Sequence, residues 1–183
     1  FLNIISEETG RLNKFIEGMV ALARAEAGSV DSGRTMSSVE EIIATALERA
    51  EPLLRKHHLV MNLERDLPLI RVDALAIAEV VYNLVENAAK YSPAGTTIFV
   101  TSVSHGDRVM VSITDQGPGI PKEMRERVFE KFVRLEGTRM DGLGLGLAIA
   151  RRIVEAQSGH IRIESADGNK GTKVVLSLPI GDT

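Results

Sequence analysis

Along residues 1–27 the positions Leu2, Ile5, Thr9, Leu12, Ile16, Met19 and Ala23 recur in alternating steps of three and four. This is the seam of a helix that packs lengthwise against other helices. The opposite face is polar, with Glu7, Glu8, Arg11, Asn13, Lys14 and Glu17. At 1.5 Å per residue such a helix is ~40 Å long, and one narrow apolar stripe of that length needs partner helices to be buried. The plainer alternative is an edge helix lying on the rest of the chain. Gly28, Ser29, Asp31, Ser32 and Gly33 then end the pattern and supply a linker. The domain boundary falls near residue 30, dividing a helical segment 1–30 from a globular segment 31–183.

Beyond the linker the pattern changes. Ser37 or Ser38, three residues ahead of Glu40 or Glu41, forms a capping box for a helix with apolar positions Ile42, Ile43, Ala46, Leu47, Leu53 and Leu54, bent by Pro52. His57 and His58 sit where that helix runs out, and neighbours on a helix point apart, so they read as an exposed helix end. Strand-like runs follow at 59–63 and 69–72. A second helix over about 74–91 turns Leu75, Ile77, Val80, Val81, Leu84, Val85 and Ala88 toward a core. Strands at 97–104 and 109–114 form a hairpin through His105, Gly106 and Asp107. A long polar stretch over 116–141 reads as a lid, followed by a helix over 145–157. Strands at 160–165 and 172–178, turning through Asp167, Gly168 and Asn169, close the chain. Helices mixed with hairpins, without regular alternation, predict an α+β two-layer sandwich rather than a doubly wound sheet.

Composition narrows the function. With 183 residues and 44% hydrophobic content the chain can build a real core. A net charge of -3 supplies no broad basic surface, so nucleic acid is not expected as a partner. The absence of cysteine excludes disulfides and thiolate metal sites and fits a reducing, cytoplasmic compartment. No apolar run reaches the ~20 residues of a membrane-spanning helix, so no direct membrane contact is expected from this chain. It begins at Phe1 inside a helical pattern and reads as a piece of a longer protein.

Four clusters carry candidate chemistry. Asn83, Asn87 and Lys90 recur at i, i+4 and i+7, on one helix face able to hold a metal ion and its phosphates. Asparagine is a poor interior helix residue, which points to side-chain work; the plain alternative is a solvated face. Asp115-Gln116-Gly117-Pro118-Gly119-Ile120 follows a strand directly. A strand-end acid can accept hydrogen bonds from an amine such as that of adenine, and the glycines admit close backbone approach, though a simple turn has the same composition. Gly142-Leu143-Gly144-Leu145-Gly146 opens a helix whose N–H groups and dipole can face phosphate. No Gly-Lys-Ser or Gly-Lys-Thr follows, which argues against a Walker-type NTPase. Between the glycine clusters lie Phe129 and Phe132 with Lys131, Arg134 and Arg139, the phenylalanines serving either as loop anchors or as ligand contacts. Gly171-Thr172 at the last strand can bring backbone close to a base.

In order, Asn83-Leu84-Val85-Glu86-Asn87-Ala88-Ala89-Lys90-Tyr91, Asp115-Gln116-Gly117-Pro118-Gly119-Ile120, Phe129-Glu130-Lys131-Phe132, Gly142-Leu143-Gly144-Leu145-Gly146-Leu147 and Gly171-Thr172 resemble the N, G1, F, G2 and G3 boxes of sensor histidine kinases. The resemblance covers about residues 35–180. It implies a Bergerat-type ATP-binding domain, shared with gyrase, Hsp90 and MutL-like ATPases: a mixed sheet covered on one face by helices, with a mobile lid. Residues 11–28 resemble the second helix of the dimerisation and histidine-phosphotransfer hairpin. Carried over by position, Asn87 becomes the Mg2+ ligand, Asn83 and Lys90 catalytic phosphate-side contacts, and Asp115 the adenine selector. Gly117, Gly119 and Ile120 flank the base, Tyr91 lines the pocket, and Thr172 supports its adenine end. Gly142, Leu143, Gly144, Leu145, Gly146 and Leu147 shape the lid hinge and phosphate cradle. Phe132 belongs to the nucleotide site, and Arg134 or Arg139 reaches the γ-phosphate.

Two details refine that expectation. Related ATPases are understood to use a carboxylate four residues ahead of the metal-binding asparagine to activate water, and Asn83 stands there. An amide accepts no proton at neutral pH, so the sequence favours phosphoryl transfer over hydrolysis. The family's phosphoacceptor histidine, followed by an Arg-x-Pro-Leu stretch, matches none of His57, His58, His105 and His160, so the acceptor helix is expected upstream of Phe1. The implied partners are a response-regulator receiver domain and, through the hairpin, a second copy in the full-length protein, which is open to attachment at the inner membrane. Two alternatives share the fold: an anti-sigma-type protein-serine kinase and a nucleotide-sensing binding module.

Overall fold

The computed structural model describes residues 33–135, 144–166 and 170–181. The heptad helix and linker expected before Gly33, the expected turn at 167–169, and Arg139, Gly142 and Leu143 lie outside the described residues. The elements run β1 (Thr35–Ser37), α1 (Val39–Leu54), β2 (His58–Leu63), β3 (Ile70–Val72), α2 (Ala74–Tyr91), β4 (Thr97–His105) and β5 (Arg108–Thr114). Two short 3-10 turns (Lys122–Met124 and Arg127–Phe129), α3 (Gly146–Ala156), β6 (His160–Ser165) and β7 (Thr172–Pro179) complete them. Among the described residues no helix is long and apolar enough to cross a membrane.

The main sheet has the order β2-β4-β5-β7-β6. β2 lies parallel to β4, with Val60 opposite Phe99, and every other pairing in this sheet is antiparallel. The expected α+β fold with a mixed sheet is therefore present. Alternation along β4 and β7 sends Ile98, Val100, Val174, Leu176 and Leu178 to one face, where all are buried. On that face lie the apolar stripes of α1 (Ile42, Ile43, Ala46, Ala50), α2 (Ile77, Val80, Val81, Leu84, Val85) and α3 (Ile149, Ile153).

Local signals set the helix starts. Ser38 caps α1 by accepting the Glu41 N–H, and Asp73 caps α2 by accepting the Ala76 N–H at 3.0 Å. Pro52 is accommodated inside the last turn of α1. The backbone N–H of Asp73 also donates to the side-chain oxygen of Gln157 at 3.1 Å, so the buried residue that ends α3 is tied to the start of α2.

Two expectations need correction, and one strand carries no sequence signal. Leu75 does not enter the core: it is 78% exposed in the first turn of α2, because the buried stripe begins at Ile77. His57 and His58 do not form an exposed helix end. His58 opens β2, and His57 is half-buried with Nε2 3.0 Å from the Ala89 carbonyl, joining the end of α1 to the last turns of α2. Finally, β1 pairs with β3 in a two-stranded sheet, Met36 opposite Arg71. Three residues of mixed polarity carry no period-2 signal that would announce such a strand.

Leu176→Ala is expected to lower stability by ~2–5 kcal/mol in urea denaturation, since it opens a cavity at a fully buried core position. Leu75→Glu, in the same measurement, is expected to stay within about 0.5 kcal/mol of the parent, as an exposed position requires.

Candidate functional site

α2 presents Asn83, Asn87 and Lys90 on one half-buried face. Neighbouring apolar positions hold the helix on the sheet, so the asparagines stand at the margin of the core rather than in open solvent. Among the described residues, neither asparagine amide makes a side-chain hydrogen bond. The Lys90 amine lies 5.4 Å from the centre of the Tyr91 ring. Ser92 ends the helix, its N–H donating to the Ala88 carbonyl.

Asp115 stands immediately past β5 and is only 8% exposed. Its backbone N–H donates to the Thr172 carbonyl at 2.9 Å. Its Oδ1 accepts the N–H of Gly117 at 2.8 Å and of Thr172 at 3.1 Å. Burial pushes the carboxyl above the usual aspartate range, and the hydrogen bonds from Gly117 and Thr172 pull in the opposite direction without cancelling it. The sequence permits this only with glycine nearby. Gly171 has φ +94°, and a Cβ there would lie 2.0 Å from the Asp115 carbonyl oxygen. A Cβ on Gly117 would come within 2.8 Å of the Tyr91 carbonyl, so the turn after Asp115 rests against the end of α2. Gly119 approaches the Gly171 carbonyl in the same way, at 3.1 Å.

The start of α3 completes the cluster. A Cβ on Gly146 would sit 3.9 Å from the Asn87 side-chain nitrogen, so the first turn of α3 faces the amide on α2. Gly144, at φ +67°, accepts the Phe132 N–H on its carbonyl at 3.0 Å, and a Cβ there would meet the Val133 carbonyl at 2.8 Å. The two phenylalanines differ in placement: Phe129 is buried at 5% exposure and anchors the loop, whereas Phe132 is 61% exposed with φ +67°.

The fold thus gathers Tyr91, Asp115, Gly117, Gly119, Gly171 and Thr172 into one set of contacts, and separately sets Gly146 beside Asn87 and Gly144 beside Phe132 and Val133. Leu145 is buried in the core and Leu147 packs against it. Ile120 also packs on the core, its carbonyl accepting the Arg125 Nε–H at 3.2 Å. Arg134 is exposed. Arg125, which no motif marks, also donates to the Ser165 hydroxyl at 2.6 Å and so fastens the loop after Gly119 to β6. The side-chain oxygen of Gln116 accepts the Thr97 N–H at 2.8 Å. A polar residue in a polar loop gives no local sign of such a partner.

Chemically, these elements offer a buried acceptor among closely packed glycine backbone, two amides without a hydrogen bond among the described residues, an amine, and the N-terminal turn of an eleven-residue helix. That is a fit for a purine base and a polyphosphate. Among the described residues no group of three or more His, Cys, Asp or Glu side chains gathers to hold a metal ion. A divalent cation here would have the Asn87 amide oxygen from the protein and take its remaining ligands from phosphate and water, as Mg2+ commonly does.

Residues 72–182 match the family model for histidine kinase-, DNA gyrase B- and HSP90-like ATPases. The sensor histidine kinase WalK of Bacillus subtilis is 32% identical over 186 aligned residues, covering 98% of this chain and 30% of WalK. The chain spans about a fifth to a third of the length of the curated relatives it matches first. A solved structure of the mycobacterial sensor histidine kinase MprB is 32% identical, with a TM-score of 0.72 over 80% of this chain and 97% of that one. Full-length ShkA, solved in complex with AMPPNP, is 26% identical, with a TM-score of 0.83 over 97% of this chain and 37% of that one. The chain therefore belongs to the histidine kinase-, DNA gyrase B- and HSP90-like ATPase family, and is a histidine-kinase catalytic ATP-binding domain.

Proposed function

We propose that this chain binds Mg2+ and ATP and catalyses transfer of the γ-phosphoryl group to a histidine on a helix upstream of Phe1, for onward transfer to a response-regulator aspartate. The observation that carries the reading is the buried Asp115 carboxylate, joined by backbone contacts to the end of α2 and the start of β7. Residues 1–30 are read as the second helix of the dimerisation and phosphotransfer hairpin plus linker, and 31–183 as the catalytic domain. The whole protein is then a homodimer through that hairpin, with this domain in the cytoplasm.

In the site, Asp115 selects adenine by accepting from its amino group, while Gly117 and Gly119 leave room beside the ring. Tyr91 and Ile120 line the pocket, and Thr172 holds the carboxylate in place. Asn87 is the metal ligand. Asn83 and Lys90 contact the phosphates, and the lid hinge at 142–147 lays backbone N–H groups beside them. Phe132 and Arg134 stand at the lid side of the pocket. Bound Mg2+ supplies charge neutralisation on the transferring group. No carboxylate occupies position 83 to take a proton from water, so the residues orient phosphate toward a presented imidazole and serve hydrolysis poorly.

Mixed with a separate protein that carries the upstream histidine helix and with γ-labelled ATP, the chain is expected to place acid-labile label on that partner. Nucleotide binding without label on histidine would refute the transfer, and acid-stable label would point to a serine kinase. Asn87→Ala is expected to cut this transfer about 100-fold, measured across a magnesium titration.

Asp115→Asn retains an oxygen for the Gly117 and Thr172 N–H groups but replaces the second oxygen with a donor. ATP affinity by calorimetry should fall about tenfold or more. Because burial raises the native carboxyl pKa, the folded state holds that proton more tightly than the unfolded chain does. Asp115 therefore favours folding most below the ordinary aspartate value, and this contribution declines as pH rises through the raised native value. Over that window the asparagine variant should gain stability relative to the parent, as followed by denaturation at stepped pH. Parental ATP affinity should rise over the same window as the acceptor ionises.

A further inference from the structure

We propose that the outer edge of β2 is a docking site for an extended, basic segment of a partner protein, which adds as a further strand and sets its apolar side chains under α1. This inference does not depend on the nucleotide reading, since the edge lies outside every residue assigned to that site.

The backbone supplies the first argument. The His58 N–H donates to the Thr96 carbonyl at 2.9 Å and the Glu64 N–H to the Ser102 carbonyl at 3.0 Å. The even-numbered residues of β2 thus bond to β4, and strand alternation turns the N–H and C=O groups of Leu59, Met61 and Leu63 the other way. β2 is the terminal strand of its sheet. Among the described residues nothing pairs with that side. Natural sheets guard such edges with Lys, Pro or a bulge. The strand His58-Leu59-Val60-Met61-Asn62-Leu63 contains neither residue, and its register against β4 is unbroken. The opposite terminal strand, β6, carries a charged cluster instead: Arg162 pairs with Glu164 at 2.7 Å, and Glu164 lies 3.7 Å from Lys173.

The side chains supply the second. Leu59, Met61 and Leu63 form one wall of a groove of about 670 Å³, and Ile43, Ala44 and Leu47 of α1 form the other. Met61 is 54% exposed. A strand laid along this edge would drop alternate side chains between those walls, gaining apolar burial as well as main-chain hydrogen bonds.

Charge selects the occupant. The remaining lining residues are Glu40, Glu48 and Glu51. Glu51 is paired with Arg55 at 3.2 Å, while Glu40 and Glu48 have no ion pair among the described residues. A segment carrying Lys or Arg beside its apolar positions meets this rim favourably. A second copy of the chain, pairing β2 with β2, would bring two such rims together, and like charges at that range are repulsive. The rim therefore favours a basic partner over self-association.

The test uses the full chain, labelled with nitrogen-15, and two blocked decapeptides, one alternating lysine with valine and one alternating glutamate with valine. Amide hydrogen exchange and chemical shifts are followed along β2. The lysine peptide is expected to slow exchange at residues 59, 61 and 63 while leaving 58, 60 and 62, already bonded to β4, unchanged. The glutamate peptide should do neither. The exposed double variant Glu40→Lys, Glu48→Lys should weaken the lysine peptide about tenfold and leave ATP affinity unchanged. The proposal fails if β2 does not respond, if both peptides act alike, or if rim reversal has no effect. It also fails if the same amides become protected with chain concentration alone, which would make a second copy the occupant.

Discussion

A carboxylate removed from water has to be compensated where it sits, and much of the loop architecture in this domain follows from how Asp115 is compensated. The Gly117 N–H lies in the turn that follows it, and the Thr172 N–H opens a strand more than fifty residues later. Both can reach one oxygen only if the chain ends around them approach to backbone distance. Gly171 makes that possible, since any side chain there would collide with the Asp115 carbonyl. Removing solvent raises the carboxyl pKa more than these bonds lower it, so the native state carries an electrostatic cost at this position. Such a cost is common where a buried carboxylate serves a ligand, the role proposed for Asp115.

The helix layer carries the second constraint. α2 buries one stripe against the sheet and leaves its asparagines at the boundary, so the same packing that stabilises the domain aims the polar face. Its two ends are fixed independently. Asp73 and Gln157 tie the start of α2 to the end of α3, and the Tyr91 carbonyl receives the turn after Asp115. α3 in turn begins opposite Asn87. A shift of either helix would move both sides of the cleft together, and a mutation distant from any ligand can thereby disturb the site through geometry alone.

The elements that carry the candidate residues could be read in advance because each has its own local signal: a 3.6-residue stripe with two out-of-place amides, a strand ending in an acid and two glycines, and glycines opening a helix. Errors gathered where local signals are weak or ambiguous. Leu75 fits the apolar pattern of α2, yet the buried stripe begins two residues later, at Ile77. The histidine pair follows the helix pattern, whereas α1 ends at Leu54, ahead of both, and His57 turns to the Ala89 carbonyl. β1 was missed because its identity rests on its partner at Ile70–Val72 rather than on its own three residues. Arg125 and Gln116 act through bonds to residues 40 and 19 positions away, and nothing in their neighbourhood encodes such contacts.

By itself the sequence determined what depends on near neighbours along the chain: helix stripes and caps, strand alternation, the hairpin turn, and which residue types could meet a nucleotide. Those follow from steric and hydrogen-bonding rules acting over a few residues. Tertiary structure alone decided the parallel pairing of β2 with β4, the convergence of Thr172 on Asp115, the opposition of Gly146 and Asn87, and the open edge beside an acidic groove. Each of these joins segments distant in sequence, and their distances come from the closing of one common core rather than from any local preference of the chain.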